Sequence, residues 1–286
     1  MTFVSLFAGM GGGDLGFESA GWHCNQQVEI DSTCNRLLEH YWPHVNRFGD
    51  IRDMSVRDAY GGVLYIVSDP CQANSVASGG ATQQSVSLWP EALRLIDWIR
   101  PLFVVRENPS FVRRNAPSSA EYVANTLEDL GYVVTIVDMQ CGEVSGFSRQ
   151  RAFVCGGFGP AGKCLRNVLA YYRCSTRVWP TCSSPKPLYY ALLTRPKRGT
   201  GNQNFIYERD GRVRVLSVRE RLAAQGFPRD WLDCLGDVRL ATGVRLTGNA
   251  WPVFAAKWLG ERVSEALFAY GTWTKASDRE RQEGGF

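Results

Sequence analysis

The sequence predicts an α/β fold built on a doubly wound, mostly parallel sheet. Three observations support this prediction. Short β-branched runs alternate with helical patterns through the first half of the chain. A glycine-rich turn directly follows the first of these runs, and other polar segments follow the later ones. The chain has 286 residues, 44% of them hydrophobic, which is enough to bury a substantial core.

Six runs rich in Val, Ile, Phe and Tyr have the length of buried strands. They are Thr2–Leu6, Gln26–Ile30, Val63–Val67, Leu102–Arg106, Tyr132–Val137 and Arg151–Cys155. Apolar residues at helical spacing predict helices between and after them. These are Asp14–Ala20, Ser32–Tyr41, Leu88–Ile99, Ala120–Leu130, Ser217–Ala224 and Ala250–Tyr270. Because strands joined by helices run parallel, their carboxyl ends share one edge of the sheet, where ligands bind.

Cysteine usage and hydrophobicity argue against several classes of protein. The nine cysteines form no CxxC pair, and an odd number in a chain this long is not typical of a disulfide framework. No apolar run approaches the ~20 residues of a membrane span. The first residues lack the basic region of a signal peptide. We therefore expect a soluble protein of the reducing cytoplasm, with no metal site.

The net charge of +4 is unevenly distributed along the chain. Residues 160–214 carry 11 basic and 2 acidic side chains, a net charge of +9, whereas the rest of the chain carries −5. Prolines and aromatic residues recur through this segment, and helical periodicity fades. This composition is typical of nucleic-acid-binding elements, although a solvated irregular surface has it too. We expect a small basic domain that binds nucleic acid.

The first candidate site is the glycine-rich turn after Thr2–Leu6. Gly11, Gly13 and Gly16 fit the dinucleotide-binding spacing, and Glu29 follows Gly11 by 18 residues. Glycines let the backbone approach a ligand closely, and a carboxylate after the second strand suits ribose hydroxyls. By itself this pattern fits NAD, FAD or S-adenosylmethionine, and also a tight turn without a ligand.

Further candidate residues lie at the ends of other strands. Cys71 follows a proline just past the third predicted strand, where a thiolate could act as a nucleophile. Glu107 follows the fourth strand, and Arg149 and Arg151 could bind carbonyl or phosphate oxygens at the start of the sixth. Each residue alone also has an ordinary explanation, as a buried cysteine, a solvated carboxylate or surface arginines.

In this order, the motifs resemble those of the DNA (cytosine-5) methyltransferases over nearly the whole chain. The matching segments are Leu6-Phe7-Ala8-Gly9 with Gly11-Gly12, Gly16-Phe17-Glu18 with Ala20-Gly21, Glu29 with Asp31, Gly49-Asp50-Ile51, Pro70-Cys71-Gln72, Glu107-Asn108, Arg149-x-Arg151, Arg219-Glu220 with Gln225-Gly226-Phe227-Pro228, and Gly248-Asn249-Ala250 with Pro252-Val253. The resemblance implies a Rossmann-like class I methyltransferase fold. It also implies a catalytic domain, 1–159 plus 247–286, and a small target-recognition domain, 160–246.

The resemblance also implies roles for the catalytic residues. The cofactor would be S-adenosyl-L-methionine, with S-adenosyl-L-homocysteine as product. Cys71 would add as a thiolate to C6 of a flipped-out cytosine, while Glu107 holds the N3/N4 edge and protonates N3. Arg151, with Arg149 beside it, would bind the 2-carbonyl oxygen. C5 would then take the methyl group before the C5 proton and Cys71 leave.

Cofactor, DNA and partners are also assigned by the resemblance. The cofactor-binding set is Phe7, Gly9, Gly11, Gly12, Glu29, Ile30, Asp50, Ile51 and Asn249. Phe7 would pack on the adenine and Glu29 would bind the ribose. The expected DNA-binding residues are Arg173, Arg177, Arg195, Lys197 and Arg198. We expect a prokaryotic or phage-encoded monomer that binds double-stranded DNA and no membrane, with a cognate restriction endonuclease as a possible partner.

Several residues depart from the family pattern. Ser5 replaces an Asp, Asp69 replaces an apolar residue or proline, Pro109 replaces a Val, and Trp251 is bulkier than usual. A carboxylate beside Cys71 disfavours the thiolate unless it points away. The leading hypothesis is an active DNA methyltransferase. The alternatives are a DNA-binding protein of this fold without turnover and an RNA cytosine methyltransferase, whereas a nicotinamide dehydrogenase would leave the Pro-Cys-Gln and Glu-Asn motifs unexplained.

Overall fold

The computed structural model describes residues 1–70, 87–109, 119–140, 150–174, 205–207 and 209–283. Within these ranges the main sheet consists of β1 (Thr2–Leu6), β2 (His23–Val28), β3 (Asn46–Phe48), β4 (Leu64–Val67), β5 (Phe103–Pro109), β6 (Tyr132–Gln140) and β7 (Gln150–Phe158). Their spatial order is β3-β2-β1-β4-β5-β7-β6. A separate antiparallel pair joins β8 (Phe205–Tyr207) to β9 (Val213–Val215).

The sheet is parallel except at β7. Leu6 of β1 pairs with Val67 of β4, which in turn pairs with Arg106 of β5. Strand β7 runs antiparallel between β5 and β6, so Arg151 near its start pairs with Pro109 at the end of β5. The carboxyl ends of β1, β4 and β5 and the start of β7 therefore share one edge. The predicted doubly wound, mostly parallel sheet is confirmed.

The described helices are α1 (Gly12–Glu18), α2 (Ser32–Tyr41), α3 (Trp89–Ile99), α4 (Ala120–Asp129), α5 (Pro160–Cys174), α6 (Val218–Ala224), α7 (Leu240–Asn249) and α8 (Val253–Glu283). Local signals explain several starts. The Asp31 carboxylate accepts from two backbone N–H groups at the start of α2, and Ser217 with Glu220 forms a capping box on α6. None of these helices combines the length and apolar composition needed to cross a lipid bilayer.

Alternating strand residues build a separate apolar cluster on each face of the sheet. Ile66 and Val105 belong to the cluster beneath α1, α5 and α8, whereas Tyr65 and Val104 belong to the cluster beneath α3 and α4. All four side chains are buried. Burying a large apolar side chain contributes about 1.5–3 kcal/mol, so the two clusters hold the sheet edge in place.

No helix was predicted directly after residue 160, but residues 160–174 form α5. Leu165 and Leu169 lie one helical turn apart and are buried in the cluster beneath α8. The abundant basic residues concealed this apolar spacing, since they occupy other faces of the same helix. The division into two domains stays a prediction, although α5 packs directly on β6 and β7.

Several element boundaries also differ from the sequence prediction, among them those of β2 and α8. Strand β2 covers His23–Val28, so Glu29 and Ile30 lie just past it in a loop. Helix α8 continues beyond the predicted Tyr270 to Glu283. The three-residue strand β3 was not predicted, because it is too short to show an alternating pattern. Helix α7 was not predicted either.

Candidate active site

The loop between β1 and α1 has a strained, left-handed backbone. Phe7, Gly9 and Gly11 have φ angles of 59°, 57° and 84°. A non-glycine residue such as Phe7 adopts this conformation at a cost on the order of 1 kcal/mol, and such strain clusters at functional sites. Hydrogen bonds from Gly11 N to Ala8 O (3.0 Å) and from Ala8 N to Val28 O (3.1 Å) hold the turn. The loop is therefore fixed against the end of β2.

The glycines of this loop divide into packed and open positions. A Cβ on Gly12 would lie 2.2 Å from the Trp251 carbonyl oxygen, and one on Gly11 would lie 2.6 Å from the Trp42 ring. A Cβ on Gly9 would meet nothing within 4 Å. Packing by itself accounts for glycine at 11 and 12, whereas Gly9 borders open space. Contact of Gly11 and Gly12 with a cofactor stays a prediction.

Glu29 connects the end of β2 to the glycine loop. Its carboxylate accepts hydrogen bonds from the backbone N–H groups of Gly9 and Asp31, each at 2.7 Å. Burial raises the pKa of this half-buried carboxyl. The neighbouring Ile30 is 66% exposed. A carboxylate and an exposed apolar side chain thus lie together beside the open face of the loop.

The remaining predicted cofactor residues have different surroundings. Ile51 is buried in the cluster against which Phe7 packs. Asp50 forms an ion pair with Arg52. Hydrogen bonds from the side chain and the backbone N–H of Arg52 lower the pKa of Asp50 to about 2. Asn249 is the last residue of α7, and its side chain is exposed. The structure thus brings Phe7 and Ile51 together, and directs the Asp50 carboxylate to Arg52.

Glu107 and Arg151 form an ion pair at the shared edge of β5 and β7. Glu107 is 5% exposed, and its Oε2 accepts a hydrogen bond from Ser68 Oγ at 3.1 Å. Ser68 directly follows β4, so three elements contribute to this contact. Two of the predicted catalytic residues therefore contact each other, next to the strand end that leads towards Cys71.

A second ion pair, which the sequence analysis missed, lies at the same strand ends. Asp69 and Arg106 are buried and bind in bidentate fashion, with Nε–Oδ1 at 2.6 Å and Nη2–Oδ2 at 3.0 Å. The carboxylate that departs from the family pattern is therefore directed to Arg106. An arginine directly after the apolar run Leu102–Val105 was the available signal, because it requires an acidic partner when buried.

Another departure from the family pattern, Ser5, belongs to a buried polar cluster. Ser5 Oγ donates to Asp14 Oδ2 at 3.1 Å, and Gln27 Nε2 donates to Asp14 Oδ1 at 2.9 Å. Asp14 is fully buried, and loss of hydration raises its pKa to about 6. Trp251, also a departure, stacks on Phe153 with ring centroids 5.8 Å apart. Both departures are thus accommodated by packing around α1.

The segment after β9 supports the glycine loop from outside. Trp231 Nε1 donates to the Met10 carbonyl oxygen at 3.0 Å, and the Trp231 ring stacks on Tyr41 at 3.6 Å. Arg221 donates through Nε to Thr247 Oγ1 at 2.8 Å, which joins α6 to α7. The sequence analysis did not identify Tyr41 or Trp231 as supports of the site, since residues so distant in the chain show no common pattern.

Several predicted site residues fall outside the part of the chain that the structure describes. They are Cys71, Arg149, Arg177, Arg195, Lys197 and Arg198. Arg173 lies in the last turn of α5, where only the backbone is described. The roles of these residues stay predictions. Among the described residues, no group of three or more His, Cys, Asp or Glu side chains is arranged to hold a metal ion.

A model of the family of C-5 cytosine-specific DNA methylases matches residues 1–158, more than half of the chain. The chain belongs to this family. Two curated relatives of this C-5 cytosine methylase are the type II methyltransferases M2.BsuMI of Bacillus subtilis and M.DsaV of Dactylococcopsis salina. M2.BsuMI is 25% identical over 93% of the chain and 76% of its own length. M.DsaV is 24% identical over 92% of the chain and 86% of its own length.

Among solved structures, the methylase resembles the S. pombe Dnmt2 methyltransferase, with a TM-score of 0.69 and 14% identity over 93% of this chain and 99% of that one. A likeness at this identity supports the Rossmann-like class I methyltransferase fold alone. The predicted family, fold class and enzyme class are confirmed. The sequence motifs were sufficient for this result because they occur in the order of the family over most of the chain.

Proposed function

We propose that this methylase transfers a methyl group from S-adenosyl-L-methionine to C5 of a cytosine flipped out of duplex DNA. The observation that carries the proposal is the contact of Glu107 with Arg151 beside the end of β4. Only Asp69 and Pro70 separate Ser68 from Cys71 in the sequence. A nucleophile, a carboxylate and a guanidinium are the three groups that activation of cytosine at C5 requires.

The proposed chemistry begins with the cysteine. The Cys71 thiolate adds to C6 while N3 takes a proton, which leaves an electron-rich C5 that can accept a methyl group. Glu107 binds the N3/N4 edge, and Arg151 binds the 2-carbonyl oxygen, with Arg149 beside it. C5 then takes the methyl group, with S-adenosyl-L-homocysteine as the other product. The C5 proton leaves with a base, the thiolate is eliminated, and N3 gives up the proton that it took. In the free enzyme Glu107 and Arg151 pair with each other. When cytosine binds, its N3/N4 edge replaces Arg151 as the partner of Glu107, and its 2-carbonyl oxygen replaces Glu107 as the partner of Arg151.

The residues around the glycine loop fit S-adenosyl-L-methionine, which supplies the methyl group when bound. The open space beside Gly9 leaves room for a ligand at the loop. The Glu29 carboxylate would accept hydrogen bonds from ribose hydroxyls, and the exposed Ile30 with Phe7 would cover the adenine. The proposed pocket is completed by Asp50, Ile51 and Asn249. Asp50 would bind the cofactor either after its ion pair with Arg52 breaks or while that ion pair is kept.

The family description and the basic segment support DNA as substrate. Arg173, Arg177, Arg195, Lys197 and Arg198 would supply phosphate contacts, with a few contacts to base edges for specificity. The names of the type II relatives support a role alongside a cognate restriction endonuclease. We propose that the enzyme acts as a monomer on its duplex.

Expression in a methylation-free host, followed by bisulfite sequencing, tests the proposal. We expect protected cytosines with the wild-type enzyme and none with Cys71→Ser. The matched control is Cys164→Ser, which changes a half-buried thiol on α5 and should leave protection unchanged. Absence of protected cytosines above the Cys71→Ser background would contradict the proposal.

The same preparation discriminates between the two alternatives. A DNA-binding protein without turnover would shift DNA in a gel, transfer no methyl group and form no covalent adduct with 5-fluorocytosine DNA. An RNA cytosine methyltransferase would transfer a tritiated methyl group to RNA and none to DNA. Either result would replace DNA methylation as the function.

A further inference from the structure

The ion pair of Asp69 and Arg106 is the most deeply buried charged contact in the described part of the structure. Neither side chain has any exposed surface. With the Asn108 amide oxygen facing the guanidinium, that oxygen accepts from Arg106 Nη1 at 3.1 Å. The Trp89 ring lies on another side of the guanidinium, with its centroid 5.9 Å away. These partners of Arg106 thus come from the segment after β4, from α3 and from its own strand, β5.

Two polar contacts connect the end of β4 to the end of β5. Ser68 binds Glu107, and Asp69 binds Arg106. Because successive side chains of a strand point to opposite faces, the two contacts lie on opposite faces of the sheet. They follow directly on the last regular partners of the two strands, Val67 and Arg106. The position of residue 69 relative to Glu107 is therefore held from both sides.

Stability does not explain why a charged pair occupies this position. Removing two charges from water is costly, and apolar residues of similar volume often replace such a pair without loss. A bidentate guanidinium–carboxylate contact differs from apolar packing in one respect, namely direction. Its two parallel hydrogen bonds form only when both groups are coplanar, so they define orientation as well as distance.

We propose that Asp69 and Arg106 are positioning residues that place the segment carrying Cys71 relative to Glu107. This inference rests on the proposed function, in which both residues act on one cytosine. Cys71 follows Asp69 by two positions in the sequence, and two residues of fully extended chain span at most about 7 Å. An error in the direction of the chain at residue 69 therefore passes directly to the sulfur.

The test replaces the pair by apolar residues of similar size, in the double variant Asp69→Leu/Arg106→Met. The measured quantity is the rate of covalent adduct formation with 5-fluorocytosine DNA at saturating enzyme and S-adenosylmethionine. We expect this rate to fall roughly 10- to 100-fold, because small displacements of reacting groups have effects of this size. The dissociation constants for DNA and for S-adenosylhomocysteine should stay unchanged, which a general loss of structure would not allow.

Two further variants keep the test decisive. Arg106→Lys preserves the charge and removes the bidentate geometry, so we expect a fall in the adduct rate even if the double variant does not fold. The control Arg262→Met/Glu265→Gln removes an ion pair on α8 and should form adduct at the wild-type rate. A folded double variant, or Arg106→Lys, that reacts as fast as wild type would overturn the inference.

The wild-type reaction separates this inference from the function on which it depends. If wild-type enzyme forms no adduct with 5-fluorocytosine DNA, the proposed function and the positioning role fail together. If wild type reacts and the pair variants react equally fast, the function stands and only the positioning role fails.

Discussion

The indole Nε1 of Trp231 donates a hydrogen bond to the carbonyl oxygen of Met10 at 3.0 Å, although 221 positions separate the two residues. Met10 belongs to the strained loop after β1, and the Trp231 ring stacks on Tyr41 of α2. The loop that would bind the cofactor is therefore supported by a segment that follows it by 221 positions in the chain.

Replacing Trp231 by Phe should loosen this loop. Phenylalanine can keep the stacking on Tyr41 but leaves the buried Met10 carbonyl without its donor, at a cost of about 1–3 kcal/mol in the free energy of unfolding. We also expect a several-fold weaker affinity for S-adenosylhomocysteine, measured by calorimetry. Trp98→Phe changes a tryptophan that is 66% exposed and should alter neither quantity. Equal affinities for Trp231→Phe and wild type would show that the bond does not support the loop.

Gly16 should tolerate no side chain, because α1 and α8 are in close contact there. A Cβ on Gly16 would lie 2.3 Å from the Ala256 Cβ and 2.5 Å from the Val253 carbonyl oxygen. We expect Gly16→Ala to lower the free energy of unfolding by about 1–3 kcal/mol, as overpacked sites do. Gly271→Ala, in an open part of α8, should raise it by up to about 1 kcal/mol. Urea denaturation measures both, and a neutral Gly16→Ala would refute the close packing.

The buried Asp14 should make stability depend on pH. Its pKa in the folded protein is about 6, above the value of 3.8 for an unperturbed aspartate. The folded state therefore binds the extra proton between these values, and the stability present below about pH 4 is lost as pH rises through about 6. The loss is on the order of 3 kcal/mol. We expect Asp14→Asn to remove this dependence, so its stability relative to wild type should rise with pH.

Urea denaturation at a series of pH values from 4 to 8 measures this difference. Asp58→Asn provides the control, because hydrogen bonds from Ser55 lower the pKa of Asp58. Its carboxylate contributes stability that is complete above the unfolded pKa and is lost only below it, so the difference in stability between Asp58→Asn and wild type should stay nearly constant from pH 4 to 8. A constant difference for Asp14→Asn would mean that Asp14 is not a buried acid.

Glu29→Gln should weaken cofactor binding. In the wild type both carboxylate oxygens of Glu29 accept hydrogen bonds, one from the N–H of Gly9 and one from the N–H of Asp31. The glutamine amide keeps only one acceptor oxygen. We expect at least a roughly tenfold rise in the dissociation constant for S-adenosylhomocysteine, since hydrogen bonds to charged groups contribute about 1.5–3 kcal/mol. Glu39→Gln, on the exposed side of α2, is the matched control. An unchanged dissociation constant for Glu29→Gln would show that Glu29 does not belong to the cofactor pocket.

The basic segment predicts a steep salt dependence of DNA binding. Neutralising Arg195, Lys197 and Arg198 together should reduce the slope of log affinity against log salt by about 0.9 for each phosphate that is no longer neutralised. Fluorescence anisotropy over a range of salt concentrations measures this slope. The triple variant Arg57→Gln/Lys257→Gln/Lys275→Gln removes three exposed charges elsewhere and should leave it nearly unchanged. An unchanged slope for the first variant would mean that other residues bind the phosphates.

Most of the sheet was predictable because local patterns determine it. The predicted strand Thr2–Leu6 and the predicted helix Ser32–Tyr41 have the observed bounds, since each combines a strong period with a clear start or end. Helix α5 was missed, because its basic surface was interpreted as a property of the whole segment. Strand β3 was missed because three residues carry no period, and its pairing with β2 decides its conformation.

The sequence by itself determined the family, the order of the motifs and the residue types that cytosine chemistry requires. Tertiary structure alone decided which of them meet. Asp69 was a doubtful neighbour of Cys71 in the sequence, and in the fold it is the partner of Arg106. Glycine at positions 11 and 12 suggested a ligand, and in the fold it is required by Trp42 and Trp251. The physical reason is that side chains distant in the sequence exclude water from each other only once the strands and helices are packed. The resulting burial determines which charged side chains must pair and how far the pKa of each buried group shifts.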